Sequence, residues 1–517
     1  MQNTTIVPTQ TLNDGTFVLF SFIQPLIERL KSGSVECNYP NIRTFSDVNL
    51  LSVSLFIGSL PISKPSNAQF WPVLGRLDHS VNKQPFVISL YMGNHKPKGT
   101  EYLSAVAQEI VSLEKNGLII ENKKYKFIVS CIIADAPARS FIKGIKGHNA
   151  YFGCEKCTEE GEWVDGRVVF LNQNAAKRND DDFRNFRYGD DHQVAVSPLN
   201  SLQLGLVSQI PLDYMHLVLI GVMRKLLSLW VIGPLEVRLE SIKVKYLSNL
   251  IMETVPFITS DFVRKPRSVS ELKYWKATEF RLFLLYVGPV VLRSILPSHL
   301  YNHFLLLHCS IRILAGENAC VPEYNICAKN MLKEFVRLVA QFYSRKDLVY
   351  DVHSLIHLPD DVLSFGPLDN FSAFPFESYL KGIKGMLRSG SKPLQQVFNR
   401  VSEMSEFSGP QYQSSPLSLC CKEPDNCYLT VDKKCIIINQ ISNENSIDSS
   451  EKKLQCYVFK KYNSFFSEPC DSNKLNIFYV SALSQELQTF CKKEILCKCI
   501  LFTFENSYIC MPLINNH

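Results

Sequence analysis

A buried strand that stops at an acidic residue is the feature that most constrains how this chain can fold. The segment Tyr125 to Ala134 is almost continuously apolar and ends abruptly at Asp135-Ala-Pro. Two earlier apolar segments, 50–57 and 86–92, are typical of buried strands. Residues 101–116, which precede the last strand, have the apolar spacing of an amphipathic helix. Strand, helix and strand in this order predict an α/β sheet.

The pattern changes along the rest of the chain and suggests a core that is interrupted and then resumed. Long helical patterns run from about 201 to 345, and mixed character returns at 347–400. Short apolar strands with polar turns fill the end of the chain. We predict five segments: 1–45, an N-terminal remnant with a helix-like stretch at Phe17 to Leu30; 46–157, the first part of the core; 158–345, a mainly helical insertion; 346–404, the second part of the core; and 405–517, a linker with a β-rich C-terminal domain.

Charge and cysteine content narrow the function classes. A formal charge of +6 over 517 residues permits nucleic-acid binding without arguing for it. The run Leu282 to Leu292 is too short to span a bilayer, and no export signal is evident, so we expect no membrane partner. The 17 cysteines are then expected to be reduced thiols or metal ligands. Those after residue 415 lack metal-site spacing, and we interpret them as reduced, partly buried thiols that act as small apolar side chains.

One pair of cysteines and one pair of histidines have the spacing of metal ligands. Cys154-Glu-Lys-Cys157 can provide two thiolates to one tetrahedral Zn²⁺, although a chance pair remains the alternative. His353 and His357 lie one helical turn apart and match the second half of a Cys₂His₂ site. A plain helix face is the alternative for the histidines.

Two acidic residues are candidate ligands for a hard divalent cation. Asp135 follows a buried strand that would fix its position, but Asp also begins turns. Glu377 starts an apolar helix, where a first-turn glutamate is favoured by the helix dipole in any case. His216, with Arg224 and Lys225 further along the same helical pattern, is either a core histidine or part of a phosphate-binding surface.

Taken together, several short motifs resemble one family. The chain from about 50 to 400 resembles the En/Spm (CACTA) cut-and-paste DNA transposases in Phe70-Trp-Pro-Val-Leu74, Asp135-Ala-Pro-Ala-Arg139, Gly147-His148, Gly153-Cys-Glu-Lys-Cys157, Leu212-Asp-Tyr-Met-His216 and Phe374-Pro-Phe-Glu377. The resemblance implies an RNase H-like catalytic core interrupted by a helical insertion. It also implies DNA as a partner, a homodimer and residence in the nucleus.

The resemblance assigns roles to the candidate ligands. It implies a structural zinc held by Cys154, Cys157, His353 and His357. It also implies that Asp135 and Glu377 are the second and third members of a carboxylate triad for Mg²⁺. Such a triad holds two metal ions that activate the attacking oxygen and stabilise the leaving oxygen.

The first member of the triad is missing. Gly58 stands where the family has its first Asp, and glycine has no side chain to bind a metal. We therefore expect a catalytically inactive, transposase-derived protein in which Mg²⁺ matters only if activity survives. Two alternatives stay open. One is an active transposase that uses a different acid, Asp47 or Asp78. The other is a protein-interaction module with no nucleic-acid role.

Overall fold

The computed structural model describes residues 9–12, 15–31, 49–62, 67–78, 80, 82–406, 418–442 and 453–514. The chain divides into two compact units. The first unit comprises Met1–Met215 and Phe371–Ser414, and the second comprises His216–Asn370 and Ser415–His517. The described residues combine helices with mixed and antiparallel sheets, which confirms the predicted α/β class at this level.

The strands of the described residues, in chain order, are β1 Gln10–Leu12, β2 Gly15–Leu19, β3 Leu50–Ile57, β4 Leu60–Pro61, β5 Gln69–Leu77, β6 Phe86–Gly93, β7 Leu118–Ile120, β8 Lys123–Ile133, β9 Glu162–Val164, β10 Arg167–Val169, β11 Cys427–Thr430, β12 Cys435–Ile441, β13 Lys453–Ser464, β14 Phe478–Leu483, β15 Gln488–Cys491, β16 Ile495–Phe504 and β17 Ser507–Pro512.

The α-helices are α1 Ile23–Lys31, α2 Gly99–Asn116, α3 Ala136–Lys143, α4 Asp180–Arg184, α5 Gly189–His192, α6 Arg224–Ile232, α7 Ser241–Glu253, α8 Ala277–Leu282, α9 Gly288–Val291, α10 Ser298–Ala315, α11 Pro322–Phe342, α12 Tyr350–Ser354, α13 Leu358–Phe365, α14 Phe374–Gly385 and α15 Pro393–Glu406. Two segments, Met215–Met223 and Phe283–Val287, are π-helical.

The first unit is built on a mixed sheet with the order β1-β2-β6-β5-β3-β8-β7. Strands β3, β5 and β6 form an antiparallel meander, whereas β3 and β8 run parallel. Every residue of β3 is buried, because a central strand is covered on both faces. Helix α2 connects the meander to the β7–β8 hairpin and packs on the sheet through buried residues such as Tyr102 and Ile110.

The expectation of a helix-like stretch at Phe17 to Leu30 is wrong for its first half. Residues 15–19 form β2, which pairs with β6 through Phe17 and Tyr91, and the helix begins at Ile23. A short apolar run does not distinguish strand from helix by periodicity alone. Here the free edge of β6 provides the pairing that decides the outcome.

The second unit contains helices α6 to α13 and a β-rich part. Its strands follow the order β12-β11-β16-β17-β14-β13-β15, with a further pairing between β12 and β13. That pairing closes six antiparallel strands into a small barrel, which confirms the expected sheet-rich C-terminal region. One face of these strands forms an apolar cluster around Phe459 and Val480, and the other packs around Tyr428 and Phe490.

One helical segment, Met215–Ile232, is long and apolar enough to cross a membrane by length and composition alone. Half of it is buried, and core helices of soluble proteins pass the same test. Lys225 lies within this segment and forms an ion pair of 2.9 Å with Asp347. The absence of a membrane partner stays a prediction.

Candidate metal centre and carboxylate edge

The predicted thiol ligands lie in a tight loop after α3. The Sγ atoms of Cys154 and Cys157 are 3.4 Å apart, and both residues are buried. Gly153 allows the loop to close, because a Cβ there would lie 2.8 Å from the carbonyl oxygens of both Ala150 and His148. Only glycine fits such an approach without a backbone shift.

A buried ion network fixes the same loop to α3. Glu155, between the two cysteines, accepts from Arg139 Nε at 2.6 Å and from Lys143 Nζ at 3.1 Å. All three side chains are at most 4% exposed. Burial lowers the pKa of Lys143, and the Glu155 carboxylate opposes that lowering. The helix that starts beside Asp135 therefore positions the cysteines as well.

The predicted histidine ligands are also buried. His353 lies in α12 and His357 ends the 3₁₀ turn that follows, with ring centroids 5.3 Å apart. The two histidines belong to the second unit, whereas the two cysteines belong to the first. Tetrahedral coordination with bonds of about 2.0 to 2.3 Å requires ligand atoms roughly 3.3 to 3.8 Å apart. We call Cys154, Cys157, His353 and His357 the Cys/His group; buried residues of these types could hold a metal ion.

The Cys157 thiol resists deprotonation. The neighbouring Cys154 and burial together raise the pKa of Cys157. A thiolate is the ligand form, so binding of a cation must displace protons. We therefore expect metal affinity to fall as pH falls.

The parallel ladder between β3 and β8 determines what surrounds Asp135. Phe56 pairs with Ile133, so Gly58 and Asp135, each two residues further on, follow the carboxyl ends of neighbouring strands. Asp135 is also the N-cap of α3, and its Oδ1 accepts from Ala138 N at 2.8 Å. Asp135 therefore also has the alternative role that the sequence suggested for it, at the start of a turn.

Packing of the adjacent Phe376 holds Glu377 near the carboxyl edge of β3 and β8. Glu377 lies in the first turn of α14, and the adjacent Phe376 stacks on Phe56 with ring centroids 5.2 Å apart and an interplanar angle of 12°. The start of α14 is anchored by the buried Asp213, whose Oδ1 accepts from Ala373 N at 2.7 Å. The Asp-Tyr-Met-His motif thus has a structural role in holding this helix.

The position that the resemblance assigns to the first carboxylate is crowded. A Cβ on Gly58 would lie 2.8 Å from Cζ of Phe56. Because Phe56 is 2% exposed and stacked on Phe376, its ring would have to shift to admit a side chain at position 58. Position 58 therefore lacks both a ligand and the space for one.

Asp78, one of the two alternative acids, is not placed at this edge. The carboxylate of Asp78 accepts from Ser52 at 2.9 Å and from Ser130 at 2.6 Å, and it also bonds Ser54. Ser54 precedes Gly58 by four residues, about 13 Å along a strand. Asp78 is thus engaged well inside the sheet. Asp47 lies outside the described residues.

A lysine side chain, that of Lys96, lies near Asp135. Burial lowers the pKa of Lys96, and the nearby Asp135 carboxylate opposes that lowering. Lys96 Nζ lies 4.2 Å from the ring centroid of Phe141 and 5.1 Å from that of Trp71. The ammonium therefore supplies positive charge close to a carboxylate that the resemblance assigns to a metal ion.

The candidate phosphate-binding residues do not form a cluster of available charge. His216 is half-buried, Arg224 is exposed, and Lys225 pairs with Asp347. Their role in nucleic-acid binding stays a prediction.

Sequence reasoning missed Glu155, Lys143 and Lys96. Glu155 carried a usable signal, since a carboxylate between two metal-ligand cysteines needs a buried cation as its partner. Lys143 and Lys96 lie outside every motif, and only the fold reveals their surroundings.

Comparison with known proteins adds one match. The model of a domain of unknown function, DUF8592, matches residues 395–513, which include every strand of the barrel. No curated protein matches the chain.

Proposed function

We propose that this chain is a transposase-derived protein with an RNase H-like core that no longer performs DNA strand transfer. The observation that carries the proposal is the register of β3 and β8, which sets Gly58 beside Asp135. A two-metal site for phosphoryl transfer needs clustered carboxylates, because Mg²⁺ prefers oxygen ligands. With glycine at the first position, the remaining acids cannot hold two metal ions.

The topology supports the RNase H-like part of the proposal. An antiparallel meander, β3-β5-β6, is followed by a helix and by a strand, β8, that runs parallel to the first strand of the meander. Acidic residues of such a core belong at the carboxyl edge of these two strands, where Asp135 lies. The first turn of α14, with Glu377, is drawn towards the same edge by the Phe56–Phe376 stack.

The Cys/His group is proposed to bind a structural Zn²⁺. Two thiolates and two imidazoles form a donor set that suits Zn²⁺. Mg²⁺ and Ca²⁺ are disfavoured by the sulfur ligands. No open coordination position is left for catalysis, so this metal would stabilise the fold.

The loss of chemistry is tested with the full chain and DNA substrates. Incubation with Mg²⁺ or Mn²⁺ should give no more nicking or joining than a matched preparation of Asp135→Asn. Cleavage by the original chain that disappears in Asp135→Asn would overturn the proposal. It would then favour an active transposase with a different first acid.

Retained DNA binding is tested separately by mobility shift across a salt titration. Contacts to phosphates make the affinity fall steeply as salt rises. We expect the affinity for DNA to depend steeply on salt. Charge reversal at the exposed Arg224 should weaken DNA binding, and charge reversal at the exposed Glu160 should change it less. The absence of any shift at low salt would favour the protein-interaction alternative.

A further inference from the structure

The barrel encloses a second group of thiols that no C-x-x-C spacing marks. Cys427 lies on β11, Cys499 on β16 and Cys510 on β17, and all are buried. One Sγ atom from each lies within 4.8 Å of the other two, and the separation between Cys427 and Cys510 is 4.0 Å. The thiols converge from three strands on the apolar cluster around Phe459.

A fourth thiol lies beside one member of the group, Cys510. Cys435, on β12, lies within hydrogen-bonding reach of Cys510 and belongs to the same buried cluster. A tetrahedral ion with Zn–S bonds of about 2.3 Å needs sulfur atoms roughly 3.8 Å apart. The 4.0 Å separation already observed is close to that requirement. The sulfurs are not bonded to one another.

A buried cation beside the group is the second observation. Arg312 is 4% exposed, and its guanidinium donates to the carbonyl oxygens of Leu285 at 3.2 Å and Pro512 at 2.6 Å. Within the part of the chain that the structure describes, Arg312 forms no ion pair with a carboxylate. These hydrogen bonds and the Tyr286 ring, whose centroid lies 5.5 Å from Cζ of Arg312, offset only part of the cost of burying the charge. Tyr286, Cys497 and Cys499 oppose the effect of burial on the pKa of Arg312, which places the guanidinium near the thiols.

We propose that the barrel binds one Zn²⁺ through Cys427, Cys499 and Cys510, with Cys435 as the fourth ligand. Soft thiolate donors in a tetrahedral set select Zn²⁺ over hard cations. A Zn²⁺ with four thiolates carries a net charge of −2, and Arg312 offsets part of it. The inference is independent of the proposed function, because it concerns only the barrel.

The test measures zinc per chain after purification of the full-length protein under reducing conditions. The Cys154→Ser/Cys157→Ser variant removes the Cys/His group, so the zinc that remains reports on the barrel. We expect that variant to retain about one equivalent. Adding Cys499→Ser and Cys510→Ser should reduce it to the background level. Cys456→Ser is the matched control, since Cys456 is a buried barrel cysteine on the other face of the strands.

Two results would overturn the proposal. One is a zinc content in the Cys154→Ser/Cys157→Ser variant no higher than background. The other is a content that Cys499→Ser/Cys510→Ser leaves unchanged.

A second measurement uses protein with no substitution in the barrel, so it remains informative if a barrel variant fails to fold. Zinc-depleted Cys154→Ser/Cys157→Ser protein is titrated with Co²⁺. Tetrahedral thiolate coordination should give intense charge-transfer absorption that saturates at about one equivalent and is displaced by Zn²⁺. Weak absorption typical of octahedral Co²⁺ contradicts the site. So does non-reducing mass spectrometry that finds Cys427 joined to Cys499 or Cys510 in a disulfide.

Discussion

Replacement of Glu155 by Gln tests whether the buried ion network holds the cysteine loop. The carboxylate is the shared partner of Arg139 and Lys143, at 2.6 and 3.1 Å, with all three side chains at most 4% exposed. Glutamine removes the negative charge and leaves two buried cations. It keeps one carbonyl oxygen, which can accept from only one of the two partners in the original geometry.

The expected cost follows from burial. Breaking a buried ion pair from one side costs about 3–5 kcal/mol, because the other charge is left uncompensated. Lys143 can relieve part of this cost by losing its proton, since burial already lowers its pKa. We therefore expect the lower end, about 3 kcal/mol, which corresponds to a fall in Tm of roughly 6 °C or more.

The assay compares urea and thermal unfolding of the original chain, Glu155→Gln and Glu160→Gln. Glu160 is exposed and lies three residues beyond Cys157, so its substitution should change stability by less than about 0.5 kcal/mol. The double variant Glu155→Gln/Lys143→Met should be less destabilised than the sum of the single changes, because the two residues interact directly. Equal stability of Glu155→Gln and Glu160→Gln would refute the reasoning.

Three further predictions concern packing and pH. Gly153→Ala should destabilise by about 1–3 kcal/mol, measured by urea unfolding, because its Cβ would meet backbone carbonyl oxygens 2.8 Å away; a change under about 0.5 kcal/mol contradicts this. Gly58→Ala should lose a similar amount of unfolding free energy, because its Cβ would meet the Phe56 ring. The double variant Phe56→Leu/Gly58→Ala should lose less than the sum of the losses in the two single variants. Strict additivity would show that the ring does not obstruct position 58. Burial lowers the pKa of His308 from 6.5 to about 3. Below pH 6.5 the unfolded state therefore binds a proton that the folded state excludes. Stability consequently falls as pH falls from 6.5 towards 3. At pH 5 the loss of unfolding free energy that is due to His308 is about 2 kcal/mol. Between pH 7 and pH 5, the unfolding free energy of His308→Phe should therefore fall by about 2 kcal/mol less than that of the original chain. An equal fall in both proteins contradicts the assignment.

Local sequence patterns were sufficient for the elements that are buried throughout. The apolar segments 50–57 and 86–92 and the segment before Asp135 form β3, β6 and β8, and the amphipathic pattern forms α2. The pattern was insufficient at Phe17, where pairing with β6 overrides a helix-like run. Closure of the barrel was also beyond local reasoning, because it depends on the long-range pairing of β12 with β13.

The two groups of possible metal ligands show the same limit. Cys154 and Cys157 are three residues apart, so a spacing rule finds them at once. Cys427 and Cys510 are 83 residues apart and meet only because their strands belong to one closed sheet. The C-terminal cysteines were interpreted as small apolar side chains for want of a local pair. Five of them, Cys427, Cys435, Cys456, Cys499 and Cys510, are buried, which agrees with that interpretation. The convergence of three of the sulfurs goes beyond it, because the spacing of ligands across strands is set by register.

On the proposed function, the change at position 58 is more than the loss of one carboxylate. A two-metal site needs an open, polar edge, whereas here Phe56 covers Gly58 and stacks on Phe376 beside Glu377. Lys96 adds positive charge near Asp135, where metal ions would otherwise supply it. Three features thus oppose metal binding at one edge: the absent ligand, the aromatic cover and the lysine. Gly58→Asp alone should therefore restore no cleavage. Restoration would require that Phe56 be reduced in size as well, and DNA nicking by the single variant would contradict this account.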